Sequence, residues 1–343
     1  MRTSSPALAR VLICRTDNIG DVVLTLPLAA YLKQLNPDVQ IDFLVRAYAA
    51  PVVRQCRFVD QVRTLEEQDD PQRMFAEGGY DTVIFAFPNR RLAKAARRAR
   101  VANRVGTSHR LFHLVTCNRL AHFSRVRSAL HEAQLNFELL KPLGIVHLPS
   151  LEEIPLLYGL DAPRLPDADA LAAQAPFNLI VHPKSNGNGR EWPLVRYEEL
   201  ARVLQGEPGV CLWVTGSPAE GELLAREAPG LLAMPNVRNL CGRFDLAGLM
   251  AVIGVADGLV ASGTGPLHMA AALGRPVLGL FPPIKPIDPT RWGAVGAQAQ
   301  SLCAVQRCAS CTGVEACACM AAISAGEVAG AVLAWRERRR KEA

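Results

Sequence analysis

The chain has 343 residues, 50% hydrophobic and 20% charged, which suits two packed α/β domains and excludes a disordered chain. No apolar run approaches the roughly 18 residues of a spanning helix, and the first residues lack the apolar core of a secretory signal, so the cytoplasm is the expected location. The formal charge of +6 is uneven, because residues 90–127 hold eleven Lys or Arg, three His and no acid.

Along the chain, Leu8 to Cys14 reads as a strand, followed by the polar turn Arg15 to Gly20 and a helix from Asp21 to about Leu35. Strand signals recur at 39–45, 61–65 and 82–87 with helical patterns between them. Residues 156–176, rich in Pro, read as a linker between domains at 1–155 and 177–343. The alternation then restarts with a strand at 177–182, a helix whose first turn holds Pro193, and a strand at 210–215. A helix at 218–227, a strand at 236–240 and a helix at 246–254 follow. Residues 257–283 read as strand, Gly-rich turn, short helix and strand, and a last helix covers about 324–340. Strands alternating with helices imply wound parallel sheets.

Ligands bind beyond the carboxyl ends of such strands, where three loops fall. The first, Arg15 to Asp21, ends with Asp21 opening a helix. Asp21 is there either a simple cap or a base that takes a proton from a substrate hydroxyl. The second, His182 to Pro193, carries Lys184 and Arg190 among small residues, a composition that either cradles phosphates or simply connects two elements. It is no Walker A loop. The third, Ser262 to His268, offers backbone N–H groups of Gly263 to His268 at a helix N-terminus, suited to a diphosphate. Gly263-Thr264-Gly265 resembles the start of a dinucleotide fingerprint, yet His268 stands where the last Gly belongs and no acid for a ribose follows, so a dehydrogenase is not expected.

The basic block at 90–127 favours an anionic partner, either a phosphorylated glycolipid or an acidic membrane surface, unless it is only a solvated face. Aromatic residues there are sparse (Phe112 and Phe123), which argues against nucleic acid. The run Arg336 to Lys341 suits a helix C-terminus and also allows a membrane contact. Ten cysteines include a cluster at Cys303, Cys308, Cys311, Cys317 and Cys319. Its spacing lacks a paired knuckle, which favours reduced or locally bridged thiols over zinc.

Arg15-Thr-Asp-Asn-Ile-Gly-Asp21 with Leu24-Thr-Leu-Pro27, the His182 to Pro193 loop, and Thr264 to His268 with Ala270 to Pro276 together resemble glycosyltransferase family 9, the lipopolysaccharide heptosyltransferases. The resemblance runs over nearly the whole chain in order and spacing. It implies a GT-B fold, two Rossmann-like doubly wound domains facing across a cleft, the first binding acceptor and the second a nucleotide-sugar, with ADP-heptose as the expected donor. It also implies inversion without a metal or other cofactor. Asp21 would be the general base, and Arg190 would meet the donor phosphates. His182, Lys184, Ser185, Gly263, Thr264, Gly265 and His268 complete the expected donor site.

On the acceptor side the expected residues are Arg15 and Asn18 with Arg97, Arg98 and Arg100, which would hold an anionic glycolipid or glycan at the inner membrane surface. Gly263 departs from the Asp found there in many members, which leaves the donor sugar as heptose or a related one. A nucleotide-sugar hydrolase or epimerase on this fold, and a non-catalytic binding protein, are the alternatives.

Overall fold

The computed structural model describes residues 8–125, 127–185, 187, 189–304 and 317–342. The chain divides into two compact units, Met1–Asp161 and Ala162–Ala343.

The first unit contains strands β1 (Arg10–Cys14), β2 (Gln40–Val45), β3 (Gln61–Thr64), β4 (Thr82–Phe85), β5 (Asn103–Thr107) and β6 (Arg119–Ala121). They form one sheet in the order β3-β2-β1-β4-β5-β6, parallel throughout. Strands covered on both faces are apolar runs rather than alternating ones. In β1, Val11, Leu12 and Ile13 are all fully buried, as are Val83, Ile84 and Phe85 in β4.

β5 and β6 lie inside the basic block and are absent from the strands expected there. β5 reads Asn-Arg-Val-Gly-Thr, with little apolar signal. Its polar ends are satisfied instead, since Asn103 donates to the Thr82 hydroxyl and Arg104 to the carbonyls of Val101 and Thr116.

The second unit repeats the topology with β7 (Phe177–His182), β8 (Val210–Val214), β9 (Val237–Asn239), β10 (Gly258–Ser262), β11 (Val277–Leu280) and β12 (Ala299–Leu302), in the order β12-β11-β10-β7-β8-β9. Counted from its own first strand this is again 3-2-1-4-5-6, the Rossmann arrangement. The stretch read as a linker carries a helix, Pro166–Ala172, which buries Ala168 and Leu171 within the second unit.

The C-terminal helix Ala325–Glu342 buries Val328, Val332 and Trp335 in the same core as helix Leu194–Gln205. Its cations serve the fold: Arg336 pairs with Glu207 at 2.8 Å, and Arg339 pairs with Asp257 and donates to the Pro176 carbonyl. These two arginines of the run have internal partners. No described helix is long and apolar enough to cross a membrane.

In a sheet of this order the strand sequence reverses between β1 and β4, and between β7 and β10. The crevice beyond the carboxyl ends at that reversal is where each unit can bind a ligand.

Candidate active site

In the first unit, β1 ends at Cys14 and delivers Arg15 straight into this crevice, where its side chain is 3% exposed. Burying a guanidinium is costly unless every donor is used. Here Nε donates to Asp17 Oδ1 at 2.8 Å, and Nη1 to Asn136 Oδ1 at 3.2 Å and the Ala86 carbonyl at 3.3 Å. Nη2 pairs with Asp21, and Glu132 Oε1 lies 3.5 Å from Nη1. Arg125 Nε donates to the same Glu132 oxygen at 3.0 Å, and its Nη2 to the Ala86 carbonyl.

Three carboxylates thus surround one buried guanidinium, with the partly exposed Arg125 as second cation. Burial pushes the Asp21 carboxyl up to about 6; Arg15 opposes the rise, while Asp17 and Glu132 add to it. Burial also raises Asp17. Burial works against the charge of Arg15, but the fields of Asp21, Asp17 and Glu132 hold it above its ordinary value. A carboxylate near neutrality, at a switch point and still 14% exposed, can accept a proton.

The Leu24-Thr-Leu-Pro27 run supports this geometry. Thr25 donates its hydroxyl to the Asp21 carbonyl at 2.7 Å, and Asn136 Nδ2 donates to the Leu24 carbonyl and the Thr25 hydroxyl. Pro27 then opens helix Pro27–Leu35. Sequence reading missed Asp17, Glu132 and Asn136 as members of this cluster. The last two lie over a hundred residues from Arg15, both buried on one short helix, Glu132–Phe137. Two partly exposed aromatics, Tyr48 and Phe87, follow the carboxyl ends of β2 and β4. The Tyr48 hydroxyl donates to the Asp17 carbonyl, and the Phe87 N–H to that of Cys14.

Of the expected acceptor residues, Arg15 is wholly engaged by the protein. Asn18 stands exposed at the start of helix Ile19–Val23. Arg97, Arg98 and Arg100 are elsewhere. A helix following a parallel strand runs back towards the amino edge of the sheet. The C-terminal turn of Arg90–Arg98 therefore lies at the opposite edge from Asp21. Within the basic block, Arg125 is the cation that reaches the Arg15 cluster.

In the second unit β7 ends at His182, whose Nδ1 is 2.9 Å from the Thr215 hydroxyl. Burial lowers this imidazole below its usual range, so it is a neutral hydrogen-bonding group. Lys184 pairs with Glu191, a residue absent from the expected set. The same carboxylate accepts from Ser185 N at 2.8 Å and its hydroxyl at 3.1 Å. At the far end of this loop the Trp192 N–H donates to the hydroxyl of Ser262, the last residue of β10.

The second and third loops therefore meet. A Cβ on Gly189 would lie 3.1 Å from the Gly263 carbonyl, so the approach requires glycine or a small shift. Next comes helix Gly265–Ala272, with Thr264 as an extended N-cap and Pro in its first turn. His268 is buried one turn in. The Thr264 hydroxyl and Arg190 Nε are both buried without a hydrogen-bond partner among the described residues. A buried hydroxyl at a helix N-cap and a buried guanidinium N–H on the loop that meets it match the needs of an anion. Of the cysteine cluster, Cys308 and Cys311 lie outside the described residues.

A profile of glycosyltransferase family 9 (heptosyltransferase) matches residues 77–319. This chain belongs to glycosyltransferase family 9. Among curated relatives, this family 9 transferase is 30% identical over 333 residues to lipopolysaccharide heptosyltransferase 1 of Pseudomonas aeruginosa, covering 88% of this chain and 86% of that protein. It is 27% identical to a putative glycosyltransferase of Haemophilus influenzae over 82% and 85% of the two chains. Its fold is that of an Escherichia coli ADP-heptose heptosyltransferase II, with TM-score 0.74 and 18% identity over 97% and 100% of the chains. An E. coli heptosyltransferase solved with ADP gives 0.68 and 21% over 95% and 99%. The fold is GT-B, and the chain is a glycosyltransferase.

Proposed function

We propose that this transferase moves heptose or a related sugar from a nucleoside-diphosphate sugar, ADP-heptose first among them, to a hydroxyl of a lipopolysaccharide-core or related anionic glycan, with inversion and without a metal. The observation that carries the reading is the Asp21 carboxyl, raised to about 6 by burial among Asp17 and Glu132 at the switch point of the first sheet. Such a group is largely ionised at neutral pH and takes up a proton readily.

The acceptor hydroxyl attacks the anomeric carbon from the face opposite the leaving diphosphate. Asp21 takes the hydroxyl proton as the new carbon–oxygen bond forms, and the electron pair of the breaking bond passes to the departing phosphate oxygen. Arg190, Thr264 and the N-terminus of helix Gly265–Ala272 stabilise that charge as donors already held in place. His182 and Ser185 shape the loop around the donor, and Lys184 adds a cation shared with Glu191.

On the acceptor side, the exposed Asn18, Tyr48 and Phe87, which follow the carboxyl ends of β1, β2 and β4, suit a sugar, and Arg125 suits its anionic substituent. Arg15 is a positioning residue for Asp21. The similarity to lipopolysaccharide heptosyltransferases of Pseudomonas aeruginosa and Escherichia coli supports the substrate class.

A thermal-shift panel of ADP, UDP, GDP and CDP tests the donor side, because a ligand at about 100 times its Kd stabilises the native state by about 2.7 kcal/mol. ADP should raise the melting temperature well above the others. Equal response to all four, or to none, would sink the adenine-nucleotide reading.

A further inference from the structure

Helix Leu111–Thr116 is amphipathic in an unusual sense. His113 and Thr116 are buried, and Phe112 packs on the first unit's core. Its other face exposes Leu111 (83%), Leu114 (49%) and Val115 (64%), spaced so that they form one apolar strip. A helix that only had to stay on the surface would place polar side chains there.

The strip is framed by cations. Arg97 donates to the Val115 carbonyl at 2.6 Å, which fixes the C-terminal turn of helix Arg90–Arg98 against it. Lys94 and Arg98 are exposed on that neighbouring helix, whose Leu92, Ala93, Ala95 and Ala96 face the core. Arg110, also exposed, precedes the strip directly. The whole segment 90–127 contains no Asp or Glu.

We propose that this patch docks the protein on an anionic lipid surface, with Leu111, Leu114 and Val115 entering the headgroup region and Lys94, Arg97, Arg98 and Arg110 facing lipid phosphates. Apolar side chains ringed by cations are the combination such an interface recognises. A second copy of this chain is a poor occupant, since it would bring the same cations face to face.

The inference deepens the proposed function by assigning a partner surface to arginines that the fold separates from Asp21. It stands on surface chemistry alone, so vesicle binding can fail while transfer to a soluble acceptor survives, and the reverse.

The test is co-sedimentation of the full chain with vesicles of phosphatidylcholine alone and with about 30% phosphatidylglycerol added, at low and at high salt. The wild type should bind the anionic vesicles, release in salt, and ignore the neutral ones. Leu111→Gln with Leu114→Gln and Val115→Gln should weaken binding at least about tenfold. Lys94→Gln with Arg98→Gln and Arg110→Gln, which breaks none of the hydrogen bonds described above, should weaken it by about fivefold per cation removed.

Both variants should keep the wild-type melting temperature and the KM for a short soluble acceptor. Equal binding to neutral vesicles, no binding by the wild type, or full binding by both variants would overturn the proposal. So would a wild type that dimerises through this strip and leaves vesicles untouched.

Discussion

Asp21 owes its basicity to its neighbours. Its pKa is raised from 3.8 to about 6 first by burial, with Asp17 and Glu132 adding to the rise against Arg15. As a base it must be ionised, so kcat/KM should climb with pH through about 6 and level off above it. Glu132→Gln removes one of the acids that disfavour ionisation, and should therefore move that midpoint to lower pH. A merely structural role for Glu132 would lower the rate without moving the midpoint.

Linkage gives an independent sign. A folded pKa above the unfolded one stabilises fully below about 3.8, and the gain is lost as pH rises through about 6. Asp21→Asn should therefore be more stable than the wild type at pH 7.5, by on the order of 1–3 kcal/mol in urea unfolding, with the gap narrowing towards pH 4.

Asp21 was legible in the sequence because Gly20-Asp21 follows an apolar strand. Glu132 and Asn136 were not, because a buried carboxylate and amide on a short helix carry no local signal of the distant arginine they serve.

Among elements, helix Gly265–Ala272 is the clearest case where local pattern and chemistry agree. Gly and Thr precede an Ala-rich helix buried between apolar strands, so its N-terminus opens into the crevice. Thr264 separates stability from binding. Its buried hydroxyl lacks a partner among the described residues, so Thr264→Val should leave stability unchanged or raise it by about 1 kcal/mol. The same change should weaken ADP binding about tenfold, a loss of the size expected for a hydrogen bond to a charged group. A calorimetric titration paired with a urea melt reads both.

Gly263 illustrates the limit of motif reading. A Cβ there would come within 2.9 Å of the Phe281 ring, so this turn has packed an aromatic where an acid would need room. The elements that escaped sequence reading were those with polar composition. β5 and β6 lie within the basic block, and β12 is a partly exposed edge strand.

For the whole molecule, the decisive feature is one topology used twice, 3-2-1-4-5-6, with a candidate site at the reversal of each sheet. The alternation of strands and helices made this fold legible, and the loops after β1, β7 and β10 marked the switch points. Topology also showed what charge counting could not. Arg97 and Arg98 end helix Arg90–Arg98 at the edge away from Asp21, and Arg100 follows just beyond it, so the fold places their charge away from that carboxylate. In the proposed reaction, proton removal falls to the first unit and diphosphate binding to the second.

The most direct test is ADP release from ADP-heptose, measured with and without a lipopolysaccharide-core acceptor, for the wild type and Asp21→Asn. The wild type should release ADP only when the acceptor is present. Asp21→Asn should bind ADP as before yet lose about 100-fold or more in rate. Release that ignores the acceptor, or an Asp21→Asn enzyme of near wild-type rate, would contradict the account.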